Sequence, residues 1–309
     1  MKSFCLVIAI VAFATALHAA VGTRRVSFER HPAKNTVLLV IRNETFSVSF
    51  NQKHAWNVAE IRFNDRVVGQ ASGATGTVIH WDSQAVGTGH GGELVDSATL
   101  TLDGRDVPLQ QLDKLLFNPG DTHEAREIVL SRHSRIGPLR AQVRFVFPAS
   151  TDSYTVTQSY EVMEDITPER FAGYKYAFMH MMPEAFTEWR TFRADGTGRH
   201  GQNAPGERKA PRDPDAEINT PFQALACYAP DWGLGIVYAY PREYEGKNHL
   251  LHRGGKDNKF RAMLFRETGH AKGEKLEFTM SLMPFKSMPD AWISLAGSLA
   301  QSRHFLPIP

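Results

Sequence analysis

Residues 139–147, LRAQVRFVF, alternate apolar and polar side chains. The odd-numbered positions are apolar, while Arg140, Gln142 and Arg144 stand between them. Successive side chains of a strand point to opposite faces of its sheet, so this segment predicts a strand with one buried and one wetted face. Residues 154–162, YTVTQSYEV, alternate in the same way and predict a second such strand.

Segments with the same period of two recur along the chain, separated by Gly, Pro, Asn and Asp. They cover residues 45–50, 59–63, 94–102, 222–228, 235–240, 260–265 and 276–282. Asp103-Gly104 is typical of a hairpin turn. Helix is predicted over Asp290 to Gln301, with an apolar stripe of Trp292, Leu295, Ala296 and Leu299, and as a short turn over Leu112 to Leu116. The pattern favours an all-β fold, a large antiparallel β-sandwich with a short C-terminal helix.

The N-terminus has the features of a signal peptide over residues 1–20. Lys2 gives the positive start, an apolar stretch follows, and Ala19 and Ala20 provide small residues at its end. The protein is therefore expected to be secreted or periplasmic. Residues 21–309 are predicted to form a single domain. It is interrupted by a long loop at residues 194–221, rich in Gly, Pro, Arg and Asp, of the kind that forms lids or stays disordered.

Composition narrows the classes of function. The chain has 309 residues and a formal charge of +2, which gives no overall field for nucleic acid. No apolar run after the signal is long enough to span a membrane. No phosphate-binding loop and no GxSxG motif is present, and no cofactor is implied. Cys5 leaves with the signal, and Cys227 lies in an apolar run, where we expect a buried small side chain rather than a nucleophile.

The candidate active site centres on residues 174–190, YKYAFMHMMPEAFTEWR. On a continuous strand Tyr174, Tyr176 and His180 share one face. Glu184, Glu188 and Arg190 follow Pro183, which ends the strand. The sequence therefore predicts a row of titratable side chains that begins on a sheet face and continues into the following loop. The alternative is a wet sheet face whose tyrosines serve packing.

Two further stretches carry candidate residues. Residues 87–93, GTGHGGE, hold His90 and Glu93 in a glycine-rich loop, which is either a ligand-binding loop or a tight turn before the next strand. Two such residues do not make a metal site, and none is predicted. Near residues 238–253 aromatic and basic side chains collect. The stretch is either a surface hairpin with interleaved charges or a binding segment, and we expect Tyr240, Arg242 and Tyr244 to bind substrate where a strand ends.

These features resemble the galactose-mutarotase-like and polysaccharide-lyase β-sandwich proteins, an architecture also described as a supersandwich. The resemblance rests on His90 in its glycine-rich loop, on the tyrosines and histidine of residues 174–180, and on Glu188 and Arg190 after them. It covers residues 37–285 as an architecture, without a family motif. It implies a protein that acts on a polysaccharide or oligosaccharide.

Three hypotheses follow. The first is a lyase that cleaves a uronate glycan by β-elimination, with His180 as base, Tyr174 or Tyr176 as acid, Arg190 on the sugar carboxylate and His90 in an orienting role. The second is a mutarotase-like or glycoside-hydrolysing enzyme in which Glu188 or Glu184 acts as acid or base beside His90 or His180, with Glu93 and Glu188 as the better carboxylate pair for hydrolysis. The third is a non-catalytic carbohydrate-binding envelope protein.

Overall fold

We describe a computed structural model of the chain over residues 22–30, 36–70, 76–173, 175–202, 217–218, 222–244, 247–253, 257–266 and 268–302. Tyr174, the side chains of Arg242 and Tyr244, the predicted signal and most of the predicted 194–221 loop lie outside these residues.

One antiparallel sheet of 11 strands, called the long sheet below, forms one layer of a sandwich. Its strands, in spatial order, are β10 (Lys114–Leu115), β9 (Arg105–Gln111), β8 (Glu93–Leu102), β12 (Glu127–Ile136), β13 (Leu139–Pro148), β14 (Tyr154–Val162), β24 (Lys275–Lys286), β21 (Leu234–Tyr244), β20 (Phe222–Ala229), β17 (Glu188–Phe192) and β18 (His200–Gln202). Strand β18 lies within the predicted long loop and pairs with β17.

Three smaller sheets form the other layer. The six-stranded sheet runs β11 (Thr122–Ala125), β1 (Arg24–Arg30), β2 (Val37–Arg42), β3 (Phe46–Asn51), β4 (Asn57–Phe63) and β5 (Arg66–Gly69). The three-stranded sheet runs β15 (Lys175–Tyr176), β6 (Val78–Trp81) and β7 (Gln84–Gly87). The four-stranded sheet runs β16 (Phe178–Met182), β23 (Asp257–Met263), β22 (Lys247–Arg253) and β19 (Glu217–Ile218).

The main hydrophobic core lies between the two layers. Side chains of all four sheets meet there, as when Phe50 of β3 packs on Phe145 of β13 with ring centroids 5.0 Å apart. Phe178 of β16 stacks on Phe278 of β24 at 6.0 Å. The alternation in β13 and β14 is confirmed, because their apolar positions are buried in this core. The prediction of an all-β sandwich is therefore confirmed.

The C-terminal helix, Trp292–Ser302, packs on the outer face of the long sheet. Trp292 stacks on Tyr228 with ring centroids 5.1 Å apart and nearly parallel planes. The helix confirms the prediction, but its buried residues are Trp292, Ala296 and Ala300, while Leu295 is 36% exposed. The small alanines let the helix lie close to the sheet.

Two local predictions have opposite outcomes. The Asp103-Gly104 turn is confirmed, since both residues have positive φ and join β8 to β9. The short helical turn at residues 112–116 is wrong, because Lys114–Leu115 form the edge strand β10. Pairing with β9 outweighed the local propensity.

Candidate functional site

His180 lies in the main core. It is 1% exposed, and a hydrogen bond of 2.5 Å joins its Nδ1 to the hydroxyl of Tyr238 on β21. Burial lowers the pKa of the imidazole to about 3, so the ring is neutral at physiological pH. Burial likewise raises the pKa of Tyr238 well above its usual value. In this position His180 does not meet a polysaccharide in solvent.

The predicted row of aromatic and histidine side chains is broken at Ala177. Strand β15 pairs with β6, whereas β16 pairs with β23, and Ala177 lies between them. Tyr176 consequently packs with Met179 and Met181 in a separate cluster, while Phe178 joins the main core. The prediction that Tyr176 and His180 share one face is therefore wrong, and the two side chains do not form one site.

Gly69 closes the space beside His180. Strands β5 and β16 meet there, and the Gln70 amide donates to the carbonyl oxygen of Met181 at 2.8 Å. A Cβ built on Gly69 would lie 2.4 Å from Nε2 of His180, an atom that has no hydrogen-bond partner among the described residues. The recess at this seam has essentially no volume for water, about 0 Å³. It has no room for a ligand.

Glu188 and Arg190 lie on the opposite face of the long sheet from His180. Their neighbours Trp189 and Thr191 are buried, so these two side chains point away from the main core. The indole Nε1 of Trp292 donates to Glu188 at 2.9 Å, and the Arg190 guanidinium lies 5.6 Å from the Phe192 ring. The C-terminal helix thus engages Glu188, and Arg190 is not brought to His180.

The glycine-rich loop is a tight turn between β7 and β8. Gly87 has φ +113°, and a Cβ there would lie 2.2 Å from the Thr77 carbonyl oxygen, so only glycine fits. His90 is exposed at the tip of this loop, which agrees with the interpretation of the loop as a tight turn. Within the described ranges no three His, Cys, Asp or Glu side chains are grouped to hold a metal ion.

Glu93 is buried in a polar network rather than exposed to a substrate. Its side chain, 3% exposed, accepts from Arg132 at 3.1 Å, from Ser134 at 2.9 Å and from Asn57 at 3.1 Å. Arg132 also donates to Asn57 at 2.8 Å and to the Ala55 carbonyl oxygen. The network ties β4 to β8 and β12, so Glu93 stabilises the sandwich.

Two other candidates are core residues. Tyr240 is 2% exposed and packs against Phe222 and Phe278 at centroid distances of 5.8 and 5.9 Å. Cys227 is buried, as expected, and burial raises the pKa of its thiol, which disfavours a nucleophilic thiolate. The described residues therefore do not join the predicted site residues into one site.

Polar side chains do gather on the outer face of the long sheet, beside the part covered by the C-terminal helix. Cross-strand pairing places His133, Gln142, Ser159 and Glu277 in one row over β12, β13, β14 and β24. None of these four side chains hydrogen bonds to another described residue. The next row contains Arg140, Glu161 and Lys275. We call these seven residues the open-face site.

A groove of about 330 Å³ lies on the open-face site. Its volume is at the lower end of the range for small-ligand pockets. Arg140 and Glu161 form an ion pair of 2.9 Å in it, with both side chains partly exposed. Neighbouring strands lie about 4.8 Å apart, so the row from His133 to Glu277 spans about 14 Å. The site is long, shallow and supplied with both donors and acceptors.

A second groove, of about 580 Å³, lies beside Trp232 at one end of the sandwich. Its two arginines already have partners. Arg62 donates to Glu60 at 3.3 Å and to the Asp65 carbonyl oxygen at 3.1 Å, and Arg66 lies 5.4 Å from the Trp232 ring. The open-face site has the larger number of unsatisfied groups, and it is the better candidate.

The sequence contained a signal for the open-face site. Arg140, Gln142 and Arg144 were identified as the wetted side of one strand, and residues 276–282, which contain Glu277, were predicted to form another strand. Their convergence with His133 depends on the order of strands in the long sheet. That order joins β14 to β24 across more than a hundred residues of sequence, and periodicity does not show it.

No family model matches the chain, and no curated protein matches it in sequence. Solved structures do match in fold. A candidate aldose 1-epimerase from Klebsiella pneumoniae aligns over 87% of this chain and 84% of its own, with 8% identity and a TM-score of 0.50. The fold is galactose-mutarotase-like. The resemblance expected from the sequence is confirmed at that level.

The same fold recurs inside larger enzymes. The GH36 α-galactosidase AgaB from Geobacillus stearothermophilus aligns over 85% of this chain and 41% of its own, with 8% identity and a TM-score of 0.51. The galactosidase domain of the α-galactosidase-sucrose kinase AgaSK aligns over 85% and 42%, with 8% identity and the same score. The chain thus spans less than half of either galactosidase, and at this identity the likeness concerns the fold alone.

No helix within the described ranges is both long and apolar enough to cross a membrane.

Proposed function

We propose that the protein binds a saccharide in the open-face site. The observation that carries this proposal is the row of His133, Gln142, Ser159 and Glu277, whose polar atoms have no partner among the described residues and face solvent along one groove. The galactose-mutarotase-like fold supports it, since the similar structures include a candidate aldose 1-epimerase and galactosidases.

The chemistry of the row suits sugar hydroxyls. Each hydroxyl donates one hydrogen bond and accepts others, so it is best bound by neighbouring groups of both kinds. Gln142 offers an amide donor and acceptor, Ser159 a hydroxyl, and Glu277 a carboxylate acceptor. The span of about 14 Å exceeds one sugar ring, so the proposed ligand is an oligosaccharide or a segment of a polysaccharide.

Catalysis is a second candidate function, and the exposed imidazole of His133 is the observation that favours it, because such a group can exchange a proton with a bound sugar. Glu277 lies about 14 Å away along the row, so it contacts a different ring of the saccharide. A mutarotase-like reaction needs a base at the anomeric hydroxyl and an acid at the ring oxygen. β-Elimination of a uronate glycan, the lyase reaction, needs a base at the carbon beside the carboxylate. In either proposal His133 takes the role of base that the sequence had suggested for His180.

The first test is glycan binding by the chain from residue 21 onward and by its Gln142→Ala variant. Loss of one or two hydrogen bonds, each contributing about 0.5–1.5 kcal/mol, should weaken binding about tenfold in titration calorimetry. Gln111→Ala is the matched control, because Gln111 lies on the same face three strands away. Equal affinities of all three proteins would refute the open-face site.

Activity assays separate the three functional hypotheses. Polarimetry on reducing sugars detects mutarotation, and absorbance of a conjugated double bond detects β-elimination. Release of reducing ends without that absorbance detects hydrolysis. Binding without any of these signals supports a carbohydrate-binding protein. We also propose export from the cytoplasm, on the grounds of the N-terminal sequence, and N-terminal sequencing of the exported protein would test cleavage near Ala20.

A further inference from the structure

We propose that the open-face site takes an acidic saccharide and that Arg144 binds its carboxylate or sulfate group. The inference rests on the proposed function and adds the substrate class. Arg144 follows Gln142 on the same face of β13, one step along the strand from the groove. A negatively charged substituent of a sugar bound along the row at Gln142 would come within reach of its guanidinium.

Arg144 differs in its neighbours from the cations that lie nearest to it on this face. Arg135 is paired with Asp96 at 3.2 Å, and Arg140 is paired with Glu161 at 2.9 Å. Lys275 lies across from Glu161 and two residues before Glu277 on the same strand. Each of these three cations therefore has a carboxylate beside it.

The positions around Arg144 hold no carboxylate. Ser131 and Thr157 stand directly across from it on the two adjacent strands. The diagonal positions on those strands are occupied by Val129, His133, Thr155 and Ser159. The Arg144 guanidinium forms no ion pair within the described part of the chain, and its side chain is half-buried. Its guanidinium donors are therefore available to an anionic group of a ligand.

The surrounding hydroxyls complete an anion site. Arginine binds carboxylate and sulfate through two parallel N–H donors, and hydroxyl groups donate to the remaining oxygens. Ser131 and Ser159 have hydroxyls free to do so, while the Thr157 hydroxyl is bonded to Thr279 at 3.2 Å. None of the positions directly across from Arg144 or diagonal to it holds a carboxylate, so an anionic group of the sugar meets its nearest charge in the Arg144 guanidinium.

The test uses acidic oligosaccharides, each paired with its neutral counterpart: a galacturonate trimer with its methyl ester, and a sulfated oligosaccharide with its desulfated form. Wild-type protein should bind at least one acid about tenfold more tightly than its neutral partner. Arg144→Gln should remove that preference and leave affinity for the neutral partner within twofold. Arg144→Lys should recover only part of it, because an ammonium group lacks the two parallel donors. Arg135→Gln, which changes a paired arginine of the same face, should retain the preference.

The outcomes separate the inference from the proposed function. If the acidic and the neutral oligosaccharide bind equally and Gln142→Ala weakens the binding of both, the open-face site is supported and the specificity for acidic sugars is overturned. If Arg144→Gln weakens the binding of the acidic and the neutral oligosaccharide equally, Arg144 contacts the sugar but does not distinguish its charge, and the inference is again overturned. If none of the oligosaccharides binds, the proposed function fails and the inference with it.

Discussion

Replacing Glu93 with glutamine should lower the free energy of unfolding by about 3–5 kcal/mol. The substitution keeps the shape of the side chain but removes the charge that compensates the guanidinium of Arg132, which is 1% exposed. Domains are stable by only about 5–15 kcal/mol, so this loss takes a large share of the total. Urea unfolding followed by circular dichroism measures it directly.

Two controls define the origin of that loss. Asp96→Asn breaks the exposed pair with Arg135 and should cost less than about 1 kcal/mol. The double variant Glu93→Leu with Arg132→Met removes both charges, and its cost should fall below the sum of the single variants by about 2–3 kcal/mol. A loss of under about 1 kcal/mol for Glu93→Gln would show that Arg132 reaches water or another partner, contrary to the structure.

The second large effect is an acid sensitivity caused by His180. Its pKa is about 3 in the folded protein, because burial disfavours the charged ring, and near 6.5 in the unfolded chain. The unfolded state therefore binds the proton first as the pH falls. The contribution of neutral His180 is complete above pH 6.5 and is lost at about 1.4 kcal/mol per pH unit below it. From pH 6.5 to 4.5 the loss amounts to about 2.5 kcal/mol.

The variant His180→Gln should lack this slope. Glutamine does not titrate, and its amide can replace the hydrogen bond to Tyr238. Its stability at pH 7 is expected to be lower than that of wild type, and the gap should narrow steadily as the pH falls to 4.5. If His180→Gln runs parallel to wild type instead, the imidazole is hydrated in the folded state.

The layers of the fold could be predicted from the sequence because burial there follows a period of two. Residues 139–147 and 154–162 each place one face in the core, and the strands that contain them pair as neighbours. The same reasoning failed at residues 174–180. Ala177 breaks the strand because its two halves pair with different sheets, and a period count has no means to register a change of partner.

The burial of certain polar residues was also not predicted from the sequence. Glu93 and His180 are residue types that often act in catalysis, and both stand in polar or aromatic surroundings in the sequence. In the structure their partners are Arg132 and Tyr238, which are distant in sequence. Only the order of strands brings these groups together, and the same order assembles the open-face site from residues that no motif joins.

The two ends of the long sheet bear on self-association. A strand with free backbone N–H and C=O groups invites another chain to extend the sheet, and natural proteins suppress this with short or charged edge strands. Strand β10 has two residues, one of them Lys114, and β18 has three. Strand β10 covers only Gln110 and Gln111 of β9, and Pro108, which has no backbone N–H, lies on the uncovered part of that strand. The short strand, its lysine and this proline together disfavour addition of another chain at the β10 edge of the sheet.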